Sequence, residues 1–155
     1  MKQMELDMRL VFGIKRGTPQ FLTHVCQEAI PKTKLYRLLK DFVVYSGVAD
    51  GVIVCPKGMI ADEESFPIKS SDEAGWVHDT LYRKDGVVFH VNGYVKMPQL
   101  SRRKADAVFD EISKLDNVSN WFSWTKWLVV RVLGYNSWHK LNMLDDLETV
   151  KKVLG

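Results

Sequence analysis

Met4 to Phe12 alternates apolar and polar side chains with period two as far as Val11, a pattern that predicts a half-buried β-strand. Gly13 and Gly17-Thr18-Pro19 punctuate it. Phe21 to Ile30 reads as either a short helix or irregular chain, ended by Pro31. Leu35 to Tyr45 and Val52 to Cys55 are rich in β-branched and aromatic residues, so they predict two strands joined as a hairpin through Ala49-Asp50-Gly51. Pro56-Lys57-Gly58 closes the second strand. Ala61 to Ser71 is polar, acidic and interrupted by Pro67, which predicts an exposed loop.

The period then changes from two to that of a helix. Ser71-Asp72-Glu73 has the composition of a helix start, a cap residue followed by acids at the positive end of the dipole. This helix carries His78 and finishes near Asp85-Gly86. Val87 to Val95 predicts a small hairpin or ordered loop around Asn92-Gly93. Ser101 caps a second helix that runs to about Leu115, with Ala105, Val108, Phe109, Ile112 and Leu115 as its apolar stripe. Asp106 lies inside that stripe, where a carboxylate has to find a partner. Asn117 to Leu133 predicts a third helix, stopped by Gly134. Its Trp121, Phe122, Trp124, Trp127 and Leu128 are interspersed with polar residues all round the wheel, so it is expected to be covered on several sides. Leu141 to Leu154 predicts a last amphipathic helix. The fold class is therefore α+β: N-terminal strands and a hairpin, then a mostly helical C-terminal half.

At 155 residues, 46% of them hydrophobic and 26% charged, the chain has the size and composition of one globular domain, and wholesale disorder is excluded. A net charge of +3 is too small to imply nucleic acid by itself. Cys26 and Cys55 have no metal-type spacing and are expected to be reduced thiols. The N-terminal residues lack a signal-type apolar run, and no apolar run exceeds the four residues of Trp127 to Val130, far short of the roughly 20 residues of a spanning helix. Cytoplasmic synthesis and no transmembrane segment are the expectations.

On the first helix, His78, Asp79 and Tyr82 are three and four residues apart and project from about one side. Asp106 on a packed neighbouring helix is the natural partner of the His78 imidazole. A histidine backed by a carboxylate is the common device for turning water into a nucleophile. Asp79, rotated away from that pair, is free to hold a hard cation such as Ca²⁺, which takes oxygen ligands. Tyr82 is placed to hydrogen-bond Asp106. The same residues have a plainer reading, a buried His-Asp-Tyr cluster that locks two helices together. His24, His90 and His139 have no ligand-like spacing. There is no HExxH, GxSxG or P-loop sequence, which argues against zinc proteases, elbow-type serine hydrolases and P-loop NTPases. Arg102, Arg103 and Lys104 put positive charge in a first helical turn, against the dipole, and Arg102 and Arg103 are candidates for an anion or phosphate. The tryptophan-rich C-terminal region, Trp121, Trp124, Trp127 and Trp138, fits core packing or a subunit interface.

His78-Asp79-x-x-Tyr82 followed by Ala105-Asp106-x-x-Phe109 resembles the paired-helix signature of phospholipase A2, above all the compact, cysteine-free form in parvovirus capsid proteins. That resemblance covers residues 75–109. It implies a general base at His78, support from Asp106 and Tyr82, and Ca²⁺ at Asp79. Only Gly58 stands where such proteins have a glycine-rich calcium loop, and Asp62, Glu63 and Glu64 offer carboxylate oxygens in its place.

A wider pattern is similar to an uncharacterised protein family of tailed bacteriophages and prophages. It runs through Pro56, Gly58, Asp62, Ser65 and Pro67, then the two motif helices and Arg131-Val132-Leu133-Gly134. It divides the single domain 1–155 into an extension (1–33), a family-like core (34–138) and a C-terminal helix (139–155). The expected function is a phage-encoded phospholipase A2-like hydrolase of phospholipid esters. The alternatives are a non-catalytic virion or assembly protein, with partners among virion proteins or its own copies, and a nucleic-acid-binding accessory centred on Arg102 to Lys104. Nucleic acid is not an expected partner in the leading reading. The expected location is the host cytoplasm or the virion.

Overall fold

Phe42-Val43-Val44-Tyr45 is apolar without alternation, and a strand of that kind is stable only where both of its faces are covered. The computed structural model describes residues 5–62, 72–116, 128 and 138–154, and in it this run is the centre of the fold. Strand β4 (Phe42–Ser46) pairs antiparallel with β5 (Gly51–Cys55), Phe42 opposite Cys55 and Ser46 opposite Gly51. The predicted hairpin is present. β1 (Gln20–Phe21) adds to the other edge of β4, and β7 (Val88–His90) to the other edge of β5, giving the antiparallel order β1-β4-β5-β7. A second antiparallel sheet has the order β2-β3-β6, from β2 (Gln27–Ala29), β3 (Leu35–Leu38) and β6 (Ile60–Asp62). Helix α1 (Asp72–Tyr82) and helix α2 (Arg102–Leu115) follow, then α3 (Leu147–Leu154). The described residues thus form a mixed α+β fold, with two antiparallel sheets mostly N-terminal and three helices later in the chain.

One face of the larger sheet presents Phe42, Val44, Ile53 and Cys55 to α1 and α2, whose Ala74, Val77, Leu81, Ala105, Val108, Phe109 and Ile112 complete the main core. The other face presents Val43, Tyr45, Val52, Val54 and Phe89 to Val11, with Leu6, Leu10 and Ile14 beside it. Residues 5–14 are therefore a cover and not the strand that their alternation predicts. The backbone turns where the Leu10 N–H donates to the Asp7 carbonyl (3.0 Å), and the Asp7 carboxylate accepts from the Arg9 backbone N–H (3.0 Å). A local Asx turn of this kind competes with strand pairing. Phe21 to Ile30 contains the short strands β1 and β2 in place of a helix, each recruited by pairing to a longer neighbour.

The predicted strand Leu35 to Tyr45 is broken at Leu39-Lys40-Asp41, where the chain crosses from one sheet to the other. Its polar groups go elsewhere: Leu39 N–H donates to the Cys26 carbonyl (2.8 Å), and the Asp41 carboxylate accepts from Lys57 N–H (2.6 Å). Helix α3 begins six residues later than Leu141. The Asp146 side chain accepts from Thr149 N–H (2.8 Å), while Asp145 holds a separate turn through Asn142 N–H (2.7 Å). α3 packs Val150, with Leu147 and Leu154, on Ile30, Leu35 and Ile60 of the smaller sheet. Val88 to Val95 does form a tight hairpin about Asn92-Gly93, closed by His90 N–H to the Val95 carbonyl (2.8 Å). Cys26 and Cys55 are both free thiols, and burial pushes the Cys55 pKa up to about 12.

The β4–β5 turn is held from two sides. Glu111 on α2 accepts from Ser46 Oγ (2.6 Å) and Val48 N–H (2.9 Å), which fixes the helix to the sheet. Asp50, in the left-handed region at φ 48°, accepts from Tyr45 Oη (2.9 Å) and Arg16 Nη2 (2.6 Å). The aromatic segment Asn117–Leu133, with Trp121, Trp124 and Trp127, lies outside the described residues apart from Leu128, which is exposed. Ser71, Glu63, Glu64, Ser65 and Pro67 also lie outside them. No helix among the described residues is long and apolar enough to cross a membrane.

Gly51 sits where β5 passes β7 so closely that an added Cβ would meet the Val88 side chain and come within 2.9 Å of the Phe89 carbonyl oxygen. The backbone oxygen cannot yield without breaking the strand pair. Gly51→Ala is expected to destabilise the fold by about 1–3 kcal/mol, the usual cost of overpacking, read as a lowered urea midpoint at unchanged m-value.

Candidate active site on the helix pair

Helix α1 has two distinct sides. Ala74, Val77 and Leu81, spaced by three and four, are buried in the main core, while His78 and Tyr82 turn towards α2. Helix α2 begins at Ser101, whose side chain accepts from Lys104 N–H (3.2 Å), and buries Ala105, Val108, Phe109 and Ile112. Asp106 falls in the same stripe and is completely buried.

The two helices meet on one carboxylate oxygen. Asp106 Oδ1 accepts from Tyr82 Oη at 2.5 Å and lies 3.2 Å from His78 Nε2. Arg102, one turn before Asp106, donates from Nε to Tyr82 Oη (3.3 Å). On the other side of the imidazole, His78 Nδ1 is 3.8 Å from Asp79 Oδ1, beyond hydrogen-bond length but within ion-pair range. The imidazole is also clamped by rings: Tyr82 lies at a centroid distance of 3.9 Å, and Phe109 makes an edge contact at 5.1 Å. Trp138 stands edge-on to Tyr82 at 4.9 Å. The side chain of His78 retains 12% exposure, that of Asp79 30% and that of Asp106 none.

Burial by itself disfavours the charged imidazolium, yet the hydrogen bond to Asp106 and the proximity of Asp79 outweigh it, and the His78 pKa lies above its ordinary value. Burial and then the bond to Asp106 push the Tyr82 phenol upward, so Tyr82 remains a donor at neutral pH. An ionised Asp106 accepts from both neighbours, which puts the proton of a neutral His78 on Nε2 and leaves Nδ1 as the basic nitrogen. Chemically, this is a histidine oriented by a buried acid and able to take a proton at Nδ1.

The structure brings His78, Tyr82 and Asp106 into contact and sets Asp79 beside them. Arg102 joins through the Tyr82 hydroxyl, so its Nε is engaged inside the site; Arg103 is exposed. Asp62 ends β6 opposite Leu35. Among the described residues no group of three or more His, Cys, Asp or Glu is arranged to hold a metal ion. Asp79 is the acid beside Nδ1.

One residue that the sequence pattern did not single out is Arg83, immediately after α1 and only 4% exposed. Its guanidinium donates from Nη2 to the Ile60 carbonyl (2.7 Å) and from Nη1 to the Asn142 carbonyl (3.4 Å). Its one sequence signal is the spacing of four from Asp79.

The model of a family described as a protein of unknown function, DUF1353, matches residues 36–130. This is more than half of the chain, from β3 through α2, and it includes His78, Asp79, Tyr82, Arg102 and Asp106; the chain belongs to that family. No curated protein and no solved structure matches it.

A histidine with a folded pKa above the unfolded value of about 6.5 stabilises the fold fully below that value and loses the contribution as pH rises through the folded pKa. Wild-type Tm should therefore fall more steeply than that of His78→Gln on going from about pH 6 to 9. Parallel profiles would show that His78 carries no such linkage.

Proposed function

We propose that this DUF1353 chain is a hydrolase in which His78, backed by Asp106, activates water for attack on an ester, the acyl ester of a glycerophospholipid being the substrate class. The observation that carries the reading is the shared oxygen of Asp106, which orients the imidazole through Nε2 and leaves Nδ1 free to accept a proton. The choice of phospholipid rests on the likeness of His78-Asp79-x-x-Tyr82 and Ala105-Asp106-x-x-Phe109 to the phospholipase A2 helix pair. A phage-encoded origin, suggested by the wider sequence pattern, fits such an enzyme acting on a host membrane.

In the reaction, Nδ1 takes one proton of a water molecule as its oxygen bonds to the ester carbonyl carbon. The resulting imidazolium sits between Asp106 and Asp79, both negative, which lowers the energy of the charge it has just acquired. Collapse of the tetrahedral species breaks the bond to the alcohol oxygen, which recovers the proton from Nδ1. The products are a carboxylate, with its proton released to solvent, and an alcohol. Tyr82, fixed by Arg102, keeps Asp106 from rotating away from His78. The resemblance implies Ca²⁺ at Asp79, for which Asp62 offers a further carboxylate, and no step here runs through it.

A second reading has its own observation: His78 is nearly buried between Tyr82 and Phe109, which suits a cluster that locks α1 to α2 in a non-catalytic virion or assembly protein.

Fatty-acid release from mixed phospholipid vesicles separates the two, with calcium or chelator present. The hydrolase reading expects release that falls by about 10²–10⁴-fold in His78→Ala and in Asp106→Asn. Its rate should rise with pH through the raised pKa of His78, because the base works only when neutral. Release no greater than that of His78→Ala under every condition, with a lowered Tm in the variant, would establish the scaffold reading instead.

A further inference from the structure

The hairpin that begins with β7 turns at Val91-Asn92-Gly93-Tyr94 and holds Asn92 and Gly93 at its exposed tip. Of the five asparagines in the chain, Asn92 is the one followed by glycine. The Gly93 nitrogen is joined to the Asn92 side-chain carbonyl carbon through the Asn92 backbone carbonyl, Cα and Cβ alone, so bond geometry keeps the two close enough to close a cyclic imide. Glycine has no Cβ to crowd the attacking nitrogen. The Gly93 N–H makes no hydrogen bond with any described residue, and neither does Asn92 Nδ2, so nucleophile and leaving group are both unrestrained. Asn92 Oδ1, by contrast, is held. It accepts from Arg16 Nη1 (3.1 Å), while Nε and Nη2 of the same guanidinium bind Asp50 (3.2 and 2.6 Å). A cation that draws electrons from the amide carbonyl is therefore fixed in place by a carboxylate.

We infer that Asn92-Gly93 is a self-modification site at which Arg16 assists the deamidation of Asn92. The Gly93 nitrogen, losing its proton to solvent, bonds to Asn92 Cγ, and the negative charge that gathers on Oδ1 faces the Arg16 guanidinium. The Cγ–Nδ2 bond then breaks, and Nδ2 takes a proton from water and leaves as ammonia, giving the cyclic imide. Water adds to either imide carbonyl carbon and breaks its bond to the Gly93 nitrogen, which recovers a proton. The sum is one water consumed and one ammonia released, and an aspartyl or isoaspartyl residue remains at position 92. Its new carboxylate faces Arg16, the residue that ties the N-terminal cover to the β4–β5 turn. The inference is independent of the hydrolase reading.

The test is incubation of the folded full chain in warm neutral buffer, followed by peptide mapping in a mass spectrometer with chromatographic separation of the isoaspartyl form. Wild type should convert at position 92 to both products, and Asn92→Gln should stay intact there over the same time. Arg16→Gln, checked as folded by near-UV circular dichroism, should convert about tenfold more slowly. The effect falls short of the roughly 10²–10³ of a water-excluded oxyanion hole because the Arg16 side chain is 57% exposed. A guanidinium that acted only as a clamp predicts the opposite sign, since releasing the loop frees Asn92 to bend into the ring. Conversion in Arg16→Gln as fast as in wild type, or faster, overturns the proposal. So does an Asn92 that stays intact in the folded protein over the time in which it converts in urea. Should Arg16→Gln not fold, Arg16→Lys decides in its place: a single ammonium cannot serve Asp50 and Asn92 in the same geometry, and conversion should again slow.

Discussion

A carboxylate with no exposed surface must be satisfied by protein groups, and in this fold Asp106 is that carboxylate. Its Oδ1 takes the Tyr82 hydroxyl and the His78 imidazole together, and Arg102 reaches the same hydroxyl from the preceding turn of α2. These partners stand on two helices, so satisfying the charge sets the register of α1 against α2. A slip of one residue on either helix would leave the acid buried and alone. An uncompensated charge of that kind costs far more than the apolar packing that the same slip would disturb at any one side chain. The geometry of the candidate active site and the packing of the helix pair are one constraint.

The sheet beneath the helices carries the same logic in apolar form. β4 and β5 are buried on both faces, one by α1 and α2 and the other by residues 5–14. Glu111 ties α2 to the β4–β5 turn, and Asp50 with Arg16 and Tyr45 ties the N-terminal cover to that same turn. The site is thus mounted on rigid elements, which is what a histidine oriented by a buried acid requires. At the far end of α1, Arg83 joins the helix to β6 and to the turn before α3. His78 and Asp79 therefore lie on a helix held at its flank by Asp106 and at its end by Arg83.

Much of this was legible in the residues. Ser101 with an apolar stripe from Ala105 to Ile112 specified α2, and an acid inside the stripe announced a buried partner before any partner was located. The hairpin of β4 and β5 followed from β-branched content and a turn. The N-terminal alternation misled because period two describes side chains, not pairing. Asp7 offered the backbone a local turn, and the sheet needed a lid on that face more than another strand. The break at Leu39 to Asp41 is marked in the sequence only by the exposed charged pair Lys40-Asp41; that the two halves enter different sheets is decided by their pairing.

What the sequence determined by itself are short-range features: that α1 and α2 are helices and β4 and β5 a hairpin, where α2 is capped, and that His78, Asp79 and Tyr82 share a side. These depend on side chains within a few residues of one another, where covalent geometry fixes the distances. Only the tertiary structure decided that His78 and Asp106 meet through Nε2 and that Arg102 serves Tyr82. It alone placed Arg83 with carbonyls of Ile60 and Asn142, residues 23 and 59 positions away. Contacts of that span are set by how whole elements pack, and backbone carbonyls leave no mark on the identity of the residues that carry them.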